Sequence, residues 1–146
     1  MEPEVILQDY LDEVSAAVLH DDWETYRSGI SLPCAVISHD ESKVVTTEAD
    51  LRAGFDSFRD TLHALKVTDY IRLVDRAERL DRDLISGSYM SHVIAGGHRL
   101  VAPYRSIMVL RLVGNRWRAA SVTNGLANSR WPLVRLELPP NPEGPK

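Results

Sequence analysis

Residues 84–124 read LISGSYMSHVIAGGHRLVAPYRSIMVLRLVGNRWRAASVTN. Apolar and polar positions alternate along three runs, about Leu84 to Ile94, Arg99 to Val113 and Arg116 to Asn124, broken by Gly96-Gly97 and Gly114-Asn115. A period of two marks strands, and Gly-Gly and Gly-Asn tolerate the positive φ that tight hairpin turns require. A fourth run, about Tyr70 to Leu80, precedes them across the polar stretch Asp81 to Asp83. The expected product is an antiparallel meander of four long strands.

A hairpin loop fixes which residues face one another, and alternate residues share a face, so the turns imply a register. Two-residue turns set Tyr89 opposite Tyr104, Gly87 opposite Ser106, Leu112 opposite Trp117 and Ser106 opposite Thr123. One face then carries Ile85, Gly87, Tyr89, Tyr104, Ser106, Met108, Trp117 and Thr123. The other carries Met90, His92, Val101, Ile107, Val109 and Val122 among Arg99, Arg105, Arg111 and Arg118. The arginines mark the second face as outward, which leaves the first for the concave side. Treating Asp81 to Asp83 as a three-residue loop turns Ile71, Leu73, Asp75 and Ala77 inward, with Asp75 across from Tyr89. A one-residue bulge would reverse that strand and move Asp75 outside.

Upstream of the meander the period changes. Leu7, Tyr10, Leu11, Val14, Ala17 and Val18 recur at spacings of three and four, the stripe of an amphipathic helix. Asp21 or Asp22 can cap a second, shorter helix with Trp23, Tyr26 and Ile30 facing inward, limited by Gly29 and Pro33. Thr47 opens a third helix whose stripe is Leu51, Phe55, Phe58, Leu62 and Leu65. Between the second and third helices, Ala35 to Ile37 and Lys43 to Val45 read as short strands around the turn His39 to Ser42. Past Leu126 the prolines 132, 139, 140, 142 and 145 set off a C-terminal segment. Residues 1–128 are expected to form the domain, and residues 129–146 a tail with a mobile end. Within it Trp131 to Leu138 either pack or add an edge strand.

Three helices followed by a meander, with a short hairpin between the second and third, resembles the nuclear transport factor 2-like superfamily, including its SnoaL-like and ketosteroid isomerase-like domains. The residues that carry the resemblance are Leu19-His20-Asp21-Asp22-Trp23 leading to Leu32-Pro33, Thr47-Glu48-Ala49-Asp50-Leu51, and Leu110 to Arg118 closing the sheet. It implies an α+β, cone-shaped cystatin-like fold, in which three N-terminal helices pack on a curved, mainly antiparallel sheet and leave a pocket. It also implies a homodimer. Members include isomerases, cyclases, dehydratases and hydrolases as well as ligand-binding and assembly modules. Ketosteroid isomerase-like chemistry implies a tyrosine on the first helix, where Tyr10 stands, and an acidic base near the first strand, where the sequence has Ser38, His39 and Asp40.

The candidate catalytic residues are Asp75, His39, Tyr89 and Tyr104. A carboxylate among phenols in a partly dry pocket can have its pKa raised by desolvation and act as a general base, while a phenol donates to a developing oxyanion. Asp75 can equally pair with Arg72, Arg76 or Arg79 on the surface. Histidine is the side chain whose unperturbed pKa lies near neutrality, so His39 is either a base at a pocket mouth or a solvated turn residue. Tyr10, Trp23, Tyr26, Ser106, Met108, Trp117 and Thr123 are the candidate pocket lining. The outward strip of Met90, His92, Val101, Ile107, Val109 and Val122, rimmed by arginines, is the candidate dimer face.

Composition bounds the rest. The chain has 146 residues, 44% of them apolar and 26% charged, with mean hydropathy −0.21. A chain of this size hides roughly 70% of its unfolded surface, so it can build a core without staples. Cys34 is the single cysteine and cannot close an intrachain disulfide. His20, His39, His63, His92 and His98 show no close ligand spacing, so neither a metal nor a cofactor is expected. The net charge of −4 lacks the basic footprint of a nucleic-acid binder. Charge is uneven: residues 1–60 hold 14 acidic and 4 basic side chains, residues 61–146 hold 7 and 13. That asymmetry reads as solvated layers or as a site for an anionic ligand on the basic half. With an acidic N-terminus and no apolar run near the ~20 residues that span a bilayer, the expected location is cytoplasmic.

Overall fold

The computed structural model describes residues 1–125. The domain boundary expected at residue 128 and the segment Trp131 to Leu138 lie outside them. Helix α1 (Pro3–Leu19) buries the stripe read from its spacing, Leu7, Tyr10, Leu11, Val14, Ala17 and Val18. Helix α2 (Trp23–Ser28) starts at Asp22, whose carboxylate accepts the Thr25 amide at 3.2 Å. Helix α3 (Glu48–Ala64) starts at Thr47, whose hydroxyl accepts the Asp50 amide at 3.1 Å. Each cap satisfies an amide that the first turn leaves without a partner.

The strands are β1 (Ile30–Ile37), β2 (Ser42–Val45), β3 (Asp69–Asp81), β4 (Leu84–Ala95), β5 (His98–Arg99), β6 (Tyr104–Val113) and β7 (Arg116–Asn124). They form one sheet in the order β2-β1-β7-β6-β4-β3, with β5 paired to β4. All pairs are antiparallel except β1 with β7. The fold is α+β, as expected. β1 begins earlier than its apolar triplet suggested, and its ladder to β7 is interrupted between Ile30 and Ala35, where Pro33 has no amide hydrogen to contribute.

Three local irregularities decide which side chains face the helices. Gly96-Gly97 is a two-residue turn, with Ala95 opposite His98. Four residues, 100–103, then stand against two of β4, residues 92 and 93, before Ser91 pairs with Tyr104; Pro103 cannot donate to the ladder there. Tyr89 therefore lies opposite Ser106 rather than Tyr104, and because the slip is two residues the faces are unchanged.

In β7 an extra residue at Ala120 moves the pairing from Leu110–Ala119 to Val109–Ser121. A one-residue slip exchanges the faces beyond it, so Thr123 is exposed while Val122 and Asn124 turn inward. In β3 the three-residue register holds from Arg76 to Arg79, but Asp75 is bulged, and Val74 rather than Asp75 pairs with Tyr89. Ala77 still faces in. Ahead of the bulge the faces exchange, so Ile71 and Leu73 are exposed and Arg72 is buried.

The core lies between the helices and the sheet in two joined clusters. Leu7, Leu11 and Val14 of α1 pack on Ile85, Tyr89, Met108 and Leu110. Val18, Phe55 and Leu62 pack on Val93, Val101 and Tyr104. Burying each such aliphatic side chain contributes about 1.5–3 kcal/mol. Among the described residues no helix is long and apolar enough to cross a membrane.

Candidate functional site

Between the helices and the concave sheet face is a cavity of about 110 Å³. Its apolar wall comes from Val14, Val18, Ile30, Phe58, Met108 and Val122, and its polar groups from Ser91, Ser106, Asn124 and Arg72. The remaining lining consists of Val36 and of Tyr10, Tyr26, Tyr70, Tyr89 and Tyr104, which are all the tyrosines of the chain. A wider depression of about 550 Å³ opens at the Asp75 bulge, but it is lined mostly by exposed side chains and gathers no buried polar group.

Arg72 is the chemical centre of the cavity. It is 8% exposed, and its Nε donates to Ser15 Oγ at 2.7 Å and its Nη2 to the Leu11 carbonyl at 3.4 Å. The guanidinium carbon stands 5.1 Å from the Tyr70 ring centre and 5.6 Å from that of Tyr89, within cation–π range. Gln8 of α1 holds the strand that carries it: its amide donates to the Arg72 carbonyl at 2.7 Å and accepts the Val74 amide at 2.9 Å. Among the described residues no carboxylate forms an ion pair with Arg72; the neighbouring ionisable groups are phenols. A buried cation is stable only if its charge is compensated, and here ring faces, a hydroxyl and a carbonyl share that task.

The phenols are donors, not bases. Burial pushes Tyr10, Tyr26, Tyr89 and Tyr104 above the ordinary tyrosine range, so all four are neutral at physiological pH. For Tyr89 the positive charge of Arg72, followed by polar contact with Arg72 and Ser106, partly offsets the burial; for Tyr104, polar contact with Ser91 and the Arg72 charge do. The Ser106 hydroxyl donates a hydrogen bond to Asn124 Oδ1 at 3.1 Å, so polar contacts run from Ser15 through Arg72, Tyr89 and Ser106 to Asn124. The Tyr10 hydroxyl donates to the Gly29 carbonyl at 2.6 Å and anchors α1 to the end of α2.

The structure brings Tyr10, Tyr26, Tyr89, Tyr104, Ser106 and Met108 together in one cavity and excludes the other candidates. Asp75 faces the opposite side of the sheet because of its bulge; its side chain is 40% exposed and pairs with Arg105 at 3.1 Å. His39 is 89% exposed in the β1–β2 turn, 3.2 Å from Asp40. Trp23 packs on Phe55 at 5.4 Å, under Arg52. Trp117 packs against the α1 core cluster outside the cavity, and Thr123 is turned out by the Ala120 bulge. Of the expected outer strip, Val101 is buried under α3 and Val122 lines the cavity.

Arg72, Tyr70, Val122 and Asn124 escape the sequence reading of the pocket. Arg72 does so because arginines ordinarily mark the solvent face of a sheet. The signal that pointed to it is the alternation Tyr70, Arg72, Val74, which competes with Ile71 and Leu73 for the inner face. Cys34 is buried and its thiol is pushed up to about 11 by desolvation, so it packs as a small hydrophobe. Among the described residues no three His, Cys, Asp or Glu side chains converge as a metal site would require.

No family model and no curated protein matches the sequence. Solved structures match its shape. A nuclear transport factor 2-like protein of unknown function from Shewanella oneidensis is 11% identical and superposes with a TM-score of 0.67, covering 85% of this chain and 99% of its own. A protein of unknown function with a cystatin-like fold from Nostoc punctiforme is 13% identical, with a TM-score of 0.62 and 92% of each chain covered. A protein from Shewanella frigidimarina provisionally designated a ketosteroid isomerase is 10% identical, with a TM-score of 0.60, covering 80% of this chain and 92% of its own. The chain therefore has the nuclear transport factor 2-like, cystatin-like fold.

Proposed function

We propose that the chain is a small-molecule-binding pocket domain that takes a small, partly apolar ligand between its helices and its sheet, and that it acts as a cytoplasmic homodimer. The observation that carries this reading is the gathering of all five tyrosines, with Arg72, around one cavity that side chains do not fill. Apolar walls with a few convergent polar groups are the usual constitution of a ligand site. The rival reading, an acid–base enzyme of isomerase, cyclase, dehydratase or hydrolase type, draws on the same phenols as proton donors and on the designation of the Shewanella frigidimarina structure. It lacks a base: Asp75 and His39 are outside the cavity, and no other carboxylate or histidine among the described residues lines it.

A thermal-shift screen of neutral molecules up to the size of benzene tests the binding reading. A ligand at a hundred times its Kd stabilises by about 2.7 kcal/mol, so hits raise Tm by several degrees. Hits that carry a hydrogen-bonding group lose part of the shift on Tyr89→Phe, and all hits lose it on the cavity-filling Met108→Trp. Shifts that survive Met108→Trp place binding elsewhere and overturn the reading.

The dimer rests on the sheet face away from the helices. Leu73 and Ile107 are 51% and 47% exposed there, near the half-buried Met90 and Val109. Light scattering is expected to give a species of twice the 16.4 kDa chain mass, reduced to one chain by Ile107→Glu. A wild-type monomer at micromolar concentration overturns it.

A further inference from the structure

The geometry points to a small organic monocarboxylate as the ligand of the cavity, held by Arg72; this inference rests on the pocket reading above and deepens it. Arg72 brings a full positive charge into a cavity whose other lining groups are neutral, and it reaches that cavity nine-tenths buried. A guanidinium presents five N–H donors in a rigid fork that matches a carboxylate. The structure gives its Nε to Ser15 and its Nη2 to the Leu11 carbonyl, the latter at the long distance of 3.4 Å; Tyr89 is its other polar neighbour, and no carboxylate of the described chain pairs with it. One cation matches one negative charge, so a phosphate dianion is poorly compensated.

Size and wall chemistry set the remainder of the molecule. An engineered apolar cavity of about 150 Å³ accommodates benzene, so about 110 Å³ suits a carboxylate on a stem of roughly three or four carbons. Tyr89 lines the same cavity with its ring centre 5.6 Å from the guanidinium carbon, so its one hydroxyl proton can exchange its present partner for the second carboxylate oxygen. Val14, Ile30, Met108 and Val122 receive the stem.

The test compares sodium butyrate with butyramide, which has the same shape and no charge, by saturation-transfer NMR titration at matched ionic strength. On wild type, butyrate is expected to bind about tenfold or more tighter, the usual gain when a hydrogen-bonded partner becomes charged. Arg72→Met removes the preference, so that butyrate binds no tighter than butyramide; Arg72→Lys keeps a weakened preference. The wild-type comparison stands even if a variant fails to fold. Equal binding of the two compounds, or a preference that survives Arg72→Met, overturns the acid assignment and leaves the pocket reading intact. If neither these compounds nor any member of the neutral screen binds, the pocket reading falls and the acid assignment with it.

Discussion

Phe55→Ala is expected to lower the unfolding free energy by about 3–5 kcal/mol, the range for removing a buried aromatic ring whose site cannot collapse. Phe55 has no exposed surface. Its ring centre lies 4.9 Å from that of Tyr26 and 5.4 Å from that of Trp23, and the guanidinium of Arg59 stands 5.6 Å above it. These neighbours come from α2 and α3, so the void would open between two helices that cannot close on it without moving α2. Because Tyr26 also lines the cavity, neutral hits from the screen should bind more weakly to the variant. Urea denaturation checks the first part: the midpoint falls with an unchanged slope. A loss below about 1 kcal/mol would mean that α3 does not hold the helical layer in place.

Gly87→Val is the second large effect, with an expected loss near the upper end of the 1–3 kcal/mol range for overpacking, about 3 kcal/mol. A Cβ at this position would stand 2.4 Å from Leu7 Cδ2 and 2.8 Å from the Arg76 carbonyl oxygen. Leu7 can rotate away. The carbonyl cannot, because it belongs to the backbone beside the Asp75 bulge, where β3 presses toward β4. Gly87 is thus the space into which the bulged strand fits. Gly87→Ala shows the same effect at smaller size, and amide chemical shifts in the variants should change most at residues 74–77. A neutral Gly87→Ala would show that the bulge can relax.

The bulge also explains how much of the site could be read from the chain. Faces could be read where turns fixed the pairing: Tyr89, Tyr104, Ser106 and Met108 share the concave side because the surplus at Leu100 to Pro103 is two residues, which preserves alternation. Asp75 and Thr123 could not, because each follows from a surplus of one, and a single extra residue leaves no compositional mark in a strand that already mixes apolar and charged positions. Arg72 was hidden by an average: arginines lie outside in most sheets, and its inward placement depends on Ser15 and the Leu11 carbonyl, contributed by a helix more than fifty positions earlier. The helices needed no such luck. The stripes of α1 and α3 and the caps at Asp22 and Thr47 are local, so spacing alone located them; the stripe read for α2 overran its end at Ser28, because Ile30 is the first residue of β1.

Gln8 has a role beyond steadying Arg72. β3 is the last strand of the sheet, and a terminal strand with free backbone groups invites a foreign strand to dock and extend the ladder. By occupying the Arg72 carbonyl and the Val74 amide, the glutamine amide stands in for a neighbouring peptide at mid-strand. That point of the border is thereby closed to a docking strand, by one side chain rather than another length of polypeptide.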